Sequence, residues 1–256
     1  MSEVTKNRDD ETISSFGDEW STYTQSDLAR DELKAIFDSY FGIFPWDELT
    51  EHVSGFDMGC GSGRWAMLVA PRVSRLACVD ASKEALDVAK RNLSGFDNIA
   101  FHHATTETAP LEPASCDFGY SLGVLHHIPD TESALNDCVS YLKPGAPFLV
   151  YLYYRFDNRP GWFRVLWKAS EFLRSAICRL PRAVKSKVTD SLALLIYLPL
   201  ARTALLLEKL GMNVSSFPLS AYRKLSFATR RTDSRDRFGT PLEQRFTREE
   251  IAGMMS

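Results

Sequence analysis

The chain has 256 residues, 45% of them hydrophobic and 25% charged, the balance of an ordinary folded domain. That balance excludes wholesale disorder, collagen and disulfide-scaffold classes, and the length allows one large domain or one domain with a sizeable insertion. The formal net charge of −3 conceals an asymmetry: residues 155–246 hold 18 Lys+Arg against 7 Asp+Glu, a net of +11, and the remainder holds 12 against 26, a net of −14.

A polar, acidic leader precedes 27–41, where Leu28, Leu33, Ile36, Phe37 and Tyr40 recur near every 3.6 positions and predict a helix. Residues 53–58 form a short apolar run ending in glycines, read as a first strand, and 64–70 reads as a helix. A second strand is predicted over 76–79, after which Ser82 is placed to cap a helix over 83–92. Strands are expected over 99–102 and 118–122, then a helix over 131–142 stopped by Lys143-Pro144-Gly145. The fifth strand, 148–154, is apolar throughout. Such strands alternating with helices predict an α/β fold, a doubly wound parallel sheet covered on both faces.

Beyond residue 155 the alternation stops. An amphipathic helix is predicted over 162–180, with Trp162, Leu166, Phe172, Leu173, Ile177 and Leu180 on one side and Arg164, Lys168, Arg174 and Arg179 on another. A more apolar helix is expected over 191–210, kinked at Pro199, then an irregular basic stretch over 222–246. Thr247-Arg248-Glu249-Glu250 has capping-box spacing and opens a last helix. The apolar run 192–207, interrupted by Pro199 and Arg202, reads as too short to span a bilayer. The five cysteines form no CxxC pair, so neither a metal site nor a disulfide framework is expected. The first fifteen residues have no apolar signal segment, which makes the reduced cytoplasm the default compartment.

The strongest motif is Asp57-Met58-Gly59-Cys60-Gly61-Ser62-Gly63, set between a strand and a helix where glycine lets the backbone approach a ligand closely. Its G-x-G-x-G spacing differs from the G-x-G-x-x-G of a dinucleotide loop, Arg64 standing where the third glycine would be, and no P-loop Gly-Lys-Ser/Thr follows. Asp80 ends the second strand, where a carboxylate can accept both hydroxyls of a ribose. Its alternative use, capping the next helix, is better served by Ser82.

Together with CDFGYSLGVLHHIPD (116–130) and LKPGAPFLV (142–150), these residues resemble the class I S-adenosylmethionine-dependent methyltransferases, specifically the methyltransferase-11-like group, over 51–154. The resemblance implies a Rossmann-like sheet in the order 3-2-1-4-5 and methyl transfer from S-adenosylmethionine to a small-molecule or lipid-like acceptor. The rival reading is a protein that binds this cofactor, or S-adenosylhomocysteine, without turnover. The resemblance puts Gly59, Gly61 and Gly63 against the methionine and ribose, Asp57 toward the amino group and Asp80 on the ribose diol. It puts Ala81 beside adenine, Ala104 and Thr105 at the adenine edge, and the backbone oxygens of Ser121 and Leu122 near the reacting end. FGDEWSTY (16–23) is similar to a segment that closes over the cofactor, so 1–50 is expected to be a helical lid. Where relatives carry Gly-Asp-Ala after the third strand this chain has His103-Ala104-Thr105, leaving backbone groups or Glu107 to meet adenine. For a proton-accepting group the resemblance implies His126, paired with Tyr23 from the lid; the plainer alternative packs one histidine beneath the loop.

The basic segment 155–246 is long for a connection and is expected to fold on its own. Its uses are a lid that shapes the acceptor pocket, a peripheral contact with an anionic membrane, or a grip on phosphate or RNA by Arg223, Arg230, Arg231, Arg235 and Arg237. The lid is favoured, the membrane comes second, and nucleic acid ranks last because exposed aromatics do not interleave the basic residues. The family sheet normally closes with two antiparallel strands after the helix at 247. Residues 247–256 are too few to supply them, so a C-terminally truncated, five-stranded sheet is expected.

Overall fold

The computed structural model describes residues 7–24, 29–49 and 52–255, and the chain divides into two units, Met1–Arg155 with Leu242–Ser256, and Phe156–Pro241. The first unit is built on β1 (Ser54–Met58), β2 (Arg75–Asp80), β3 (Ile99–His103), β4 (Phe118–Leu122) and β5 (Phe148–Tyr151), all parallel, in the order β3-β2-β1-β4-β5. This is the Rossmann-like order that the motifs imply. β5 is shorter than expected, because Tyr154 leaves the ladder and makes a lone parallel bridge to Phe246.

Register at the centre of the sheet is set by two reciprocal pairs. Gly55 of β1 lies opposite Phe118 of β4, and Phe56 lies opposite Gly119. A Cβ at Gly55 would stand 2.4 Å from the Phe118 ring, and one at Gly119 would stand 2.3 Å from the Phe56 ring. Each ring therefore occupies the space that a neighbouring side chain would need. On the Phe118 face the core includes Leu33, Phe37 and Phe41 of α2 (Arg30–Phe41), Ala66 and Val69 of α3 (Ala66–Val69), and Leu86 and Ala89 of α4 (Lys83–Asn92). On the Phe56 face it includes Ala134, Leu135 and Cys138 of α5 (Thr131–Ser140), with Ile251 and Met254 of α10 (Arg248–Met254) packed against it. All five cysteines are free and buried.

Local signals account for the helix boundaries. The polar leader holds an unforeseen helix, α1 (Asp10–Thr22), whose first turn is capped by Asp9. Asp27 and Leu28, the expected start of the next helix, lie outside the described residues, and α2 begins at Arg30. Ser82 Oγ accepts from Ala85 N at 3.3 Å and caps α4 as predicted. The helix expected over 64–70 is only one turn long, since Pro71 has no N–H to continue it. Both halves of the Thr247–Glu250 capping box are formed.

The second unit is helical: α6 (Gly161–Ile177), α7 (Arg182–Leu192), α8 (Leu198–Lys209) and α9 (Phe227–Gly239). Two sequence expectations change here. The kink expected at Pro199 is replaced by a π turn, Ala193–Tyr197, which absorbs the missing donor and joins α7 to α8. Arg182–Lys209 is thus a continuous 28-residue helix, with a mean hydropathy of 1.5 over its most apolar window, long and apolar enough to cross a membrane. The stretch read as irregular contains α9, which has no apolar stripe to announce it. Ser226 caps it, and its arginines form bonds inside the unit: Arg230 donates to Tyr222 O, Arg231 pairs twice with Asp190, and Arg237 meets Glu171. Arg235 is buried and Arg223 pairs with Glu208 at 2.6 Å, so all five arginines considered for gripping phosphate are used or covered within the unit.

Gly119→Val would force the Phe56 ring aside at the middle of the sheet. It is expected to destabilise the chain by about 2–3 kcal/mol, seen as a lower urea midpoint with an unchanged slope.

Candidate functional site

The carboxyl ends of β1 and β2 lie side by side in register, Met58 opposite Val79, and the glycine loop springs from the first of them. Gly59 N and Cys60 N both donate to Val79 O, at 2.8 and 3.0 Å, which ties the start of the loop to β2. Gly59 has a φ of +79°, and a Cβ there would meet Val124 at 2.4 Å. Gly61 has a φ of +54°, and its open face is covered by the Trp20 indole, 3.0 Å from where a Cβ would be. Both positions thus require glycine on backbone and on steric grounds.

Asp80 links the loop to the following helix. Its Oδ2 accepts from Gly61 N and its Oδ1 from Ser82 N, each at 2.8 Å. Each oxygen keeps a second lone pair for a ligand hydroxyl. Burial raises the Asp80 pKa, while the two backbone donors and His103 draw it down. Asp57, in β1 opposite Tyr120, is buried, and burial pushes its pKa up to about 8. The Tyr120 hydroxyl draws it down and Asp80 raises it, yet neither Asp57 Oδ2 nor that hydroxyl completes a hydrogen bond of good geometry within the protein. A buried carboxyl oxygen without a partner beside a glycine turn is a group that a ligand donor could satisfy.

The other sequence-predicted residues lie around these. Gly63, with a φ of +79°, packs on Leu93, and Ala81 O is met by His103 Nε2 at 2.9 Å. Ala104 N donates to Asp80 O at 3.1 Å, and Thr105 N donates to Thr108 Oγ1 at 3.0 Å. Ser121 Oγ donates to Met58 O at 2.8 Å, tying the ends of β4 and β1, and Leu122 ends β4. Tyr23 is buried at the C-terminal end of α1. His126 sits in a turn after β4, wholly buried, with neither ring nitrogen partnered. Its ring centroid is 3.8 Å from that of Tyr153 and 4.0 Å from that of His127. Burial, then the neighbouring His127 and Arg245, hold its pKa well below the usual imidazole range, so the ring is neutral.

Several residues that hold the site were not found by sequence reasoning. Asn92 Nδ2 donates to Ser62 O at 2.9 Å and to Thr24 O at 3.0 Å, so the end of α4 fixes both the glycine loop and the chain after α1. Gln244 N donates to His126 O at 3.0 Å, and Leu242 O accepts from His127 Nδ1 at 2.6 Å. Arg245 lies 4.8 Å over the Tyr153 ring. These partners are more than 100 residues from the histidines, and no local pattern announces them. Among the described residues no cluster of His, Cys, Asp and Glu is arranged to hold a metal ion.

Residues 56–150 match a family model described as a methyltransferase domain. The chain is 31% identical over 100 residues to the uncharacterized methyltransferase YcgJ of Bacillus subtilis, covering 38% of this chain and 40% of that protein. It is 31% identical over 105 residues to a ubiquinone biosynthesis O-methyltransferase of Paraburkholderia phymatum, covering 39% and 45%. It is 27% identical over 107 residues to a sterol 4-C-methyltransferase of Caenorhabditis elegans, covering 41% and 32%. The crystal structure of YcgJ superposes with a TM-score of 0.45 at 24% identity, over 58% of this chain and 60% of that one. In sequence, the chain spans less than half the length of each of these three relatives. The matched stretch, 56–150, supports a class I S-adenosylmethionine-dependent methyltransferase domain for the sheet-bearing core.

The raised pKa of Asp57 has a measurable consequence. The folded chain holds a proton that the unfolded chain releases near pH 3.8, so this stabilising contribution is complete below that value and is lost as pH rises through about 8. Asp57→Asn is expected to be more stable than the parent above pH 8 in urea titrations, by several kcal/mol.

Proposed function

We propose that the protein transfers a methyl group from S-adenosylmethionine to a small-molecule or lipid-like acceptor. The observation that carries this reading is the pair of carboxylates, Asp57 and Asp80, at the ends of adjacent strands on either side of a positive-φ glycine turn. Asp57 would hold the cofactor's amino group, Asp80 its ribose diol, and Gly59, Gly61 and Gly63 would admit it to the backbone, with Trp20 as cover. Ala81, Ala104 and Thr105 would border the adenine, with Ser121 and Leu122 toward the reacting end. When bound, the cofactor supplies a methyl group already activated on a sulfonium. The protein then has mainly to hold the acceptor in line, a positioning effect that supplies up to roughly 7–11 kcal/mol.

If the acceptor must lose a proton, His126 takes it: its ring is neutral and both nitrogens lack protein partners. Tyr23 is the companion implied by the resemblance, whereas Tyr153 is the tyrosine whose tilted ring lies against His126 in the structure. The relatives named for ubiquinone and sterol methylation support an apolar acceptor for this chain. The full burial of His126 favours the second reading, cofactor binding without turnover. Release of S-adenosylhomocysteine only when acceptor is present separates the two.

His126→Gln is expected to lower kcat about 10²–10⁴-fold while calorimetric affinity for S-adenosylmethionine stays unchanged. Because its pKa is depressed, the acidic limb of the parent's pH–rate profile should fall well below the usual imidazole value of 6.5. Turnover of His126→Gln at the parental rate would remove it from the mechanism. Cofactor affinity itself should rise with pH up to about 8 as Asp57 ionises, and Asp57→Asn should bind roughly ten- to a hundredfold more weakly without that dependence.

A further inference from the structure

The first helix of the basic unit leaves an apolar stripe outside. On α6, Trp162, Val165, Leu166, Phe172 and Leu173 recur at i, i+3, i+4, i+10 and i+11, an arc of about 120° at 100° per residue. That stripe faces solvent: Phe172 is 80% exposed, Val165 69% and Trp162 54%. The opposite side is covered and mixed: Phe163 and Trp167 pack on Phe156, Ile177 is buried, and the polar groups among them are paired. Arg174 donates to Thr240 O at 2.9 Å and to Pro241 O at 2.8 Å, Glu171 pairs with Arg174 and Arg237, and Arg237 donates to Ser170 Oγ at 3.0 Å. A helix facing only water would not leave so continuous an apolar stripe outside.

We infer that α6 docks this unit on an anionic membrane surface, its apolar stripe entering the headgroup–acyl boundary. The charge is complementary: Phe156–Pro241 carries 16 Lys+Arg against 6 Asp+Glu, a net of +10. Arg164 and Lys168 are exposed beside the stripe on the same helix, the placement of cations over lipid phosphates. Trp162, at the start of the helix, suits the interface by its amphipathic ring.

The neighbouring helix agrees. Only 22% of the most apolar window of Arg182–Lys209 is buried, and Leu194, Leu195, Ile196 and Leu206 lie exposed. Its other side, Ala193, Tyr197, Ala201 and Ala204, is buried in the unit, and Arg202 lies exposed at its middle. A helix held on one side by its own protein and apolar on the other lies along a membrane rather than through it. The inference rests on the lipid-like acceptor proposed above, since a unit seated on lipid meets such an acceptor where it is dissolved.

The test uses the full chain in flotation with phosphatidylcholine vesicles, with and without phosphatidylglycerol. Binding is expected only to the anionic vesicles, with release by high salt. Val165→Ser combined with Phe172→Ser should weaken it at least about tenfold while calorimetric cofactor binding and methyl transfer to a water-soluble acceptor remain. Absence of flotation, or equal flotation of the double variant, overturns the inference. So does resistance to high salt and alkaline extraction, which would mean a spanning helix. Light scattering that shows a dimer abolished by the double variant, without vesicle binding, assigns the stripe to self-association instead. Loss of vesicle binding alone leaves the transferase reading intact, and loss of cofactor binding alone counts against that reading and not against docking.

Discussion

The reciprocal packing of Phe118 over Gly55 and Phe56 over Gly119 holds β1 and β4 at one register, and the site hangs from that register. A slip of one residue would turn Asp57 from its place beside Tyr120 to the opposite face of the sheet. The same register lets Ser121 Oγ reach Met58 O, which aligns the ends of the two strands from which the glycine loop and the histidine turn leave. Two glycines in central strands, costly for strand propensity, are explained by the rings that lie on them.

Electrostatics at the strand ends follows from how each carboxylate is surrounded. Asp80 has backbone donors on both oxygens, so part of its burial cost is returned. Asp57 has no such donor on Oδ2, and its proton is held to about pH 8. The two carboxyls are thus unevenly satisfied: the backbone offsets part of the burial cost of Asp80, whereas that of Asp57 is largely uncompensated within the protein. Trp20 over Gly61 and Asn92, bonded to both Ser62 O and Thr24 O, bring the N-terminal helix into the same arrangement.

The basic unit resolves the charge asymmetry differently from its composition. Most of the arginines in its C-terminal half neutralise Glu171, Asp190 and Glu208 or satisfy carbonyls, and α9 is held by them in place of an apolar stripe. Exposed apolar residues lie instead on α6, on the π turn Ala193–Tyr197 and on α8. Segment 242–246 groups with the core, where it bonds the backbone of His126 and the ring of His127.

What the sequence determined by itself is whatever short-range chemistry decides. Strand and helix order, the caps at Ser82 and Thr247, the glycine turn and Asp80 all depend on neighbours within a few residues, so their patterns were legible along the chain. Tertiary structure decided what depends on distant partners. Burial in the folded core raised the pKa of Asp57 and lowered that of His126; Tyr153, Gln244 and Asn92 acquired their roles through contacts that pairwise spacing does not encode. The amphipathic period of α6 was equally visible in the sequence, but periodicity shows only that a helix has two faces. Which face meets solvent is set by the packing of the whole unit, and here Phe163, Trp167 and Ile177 were covered while the stripe through Val165 and Phe172 stayed outside.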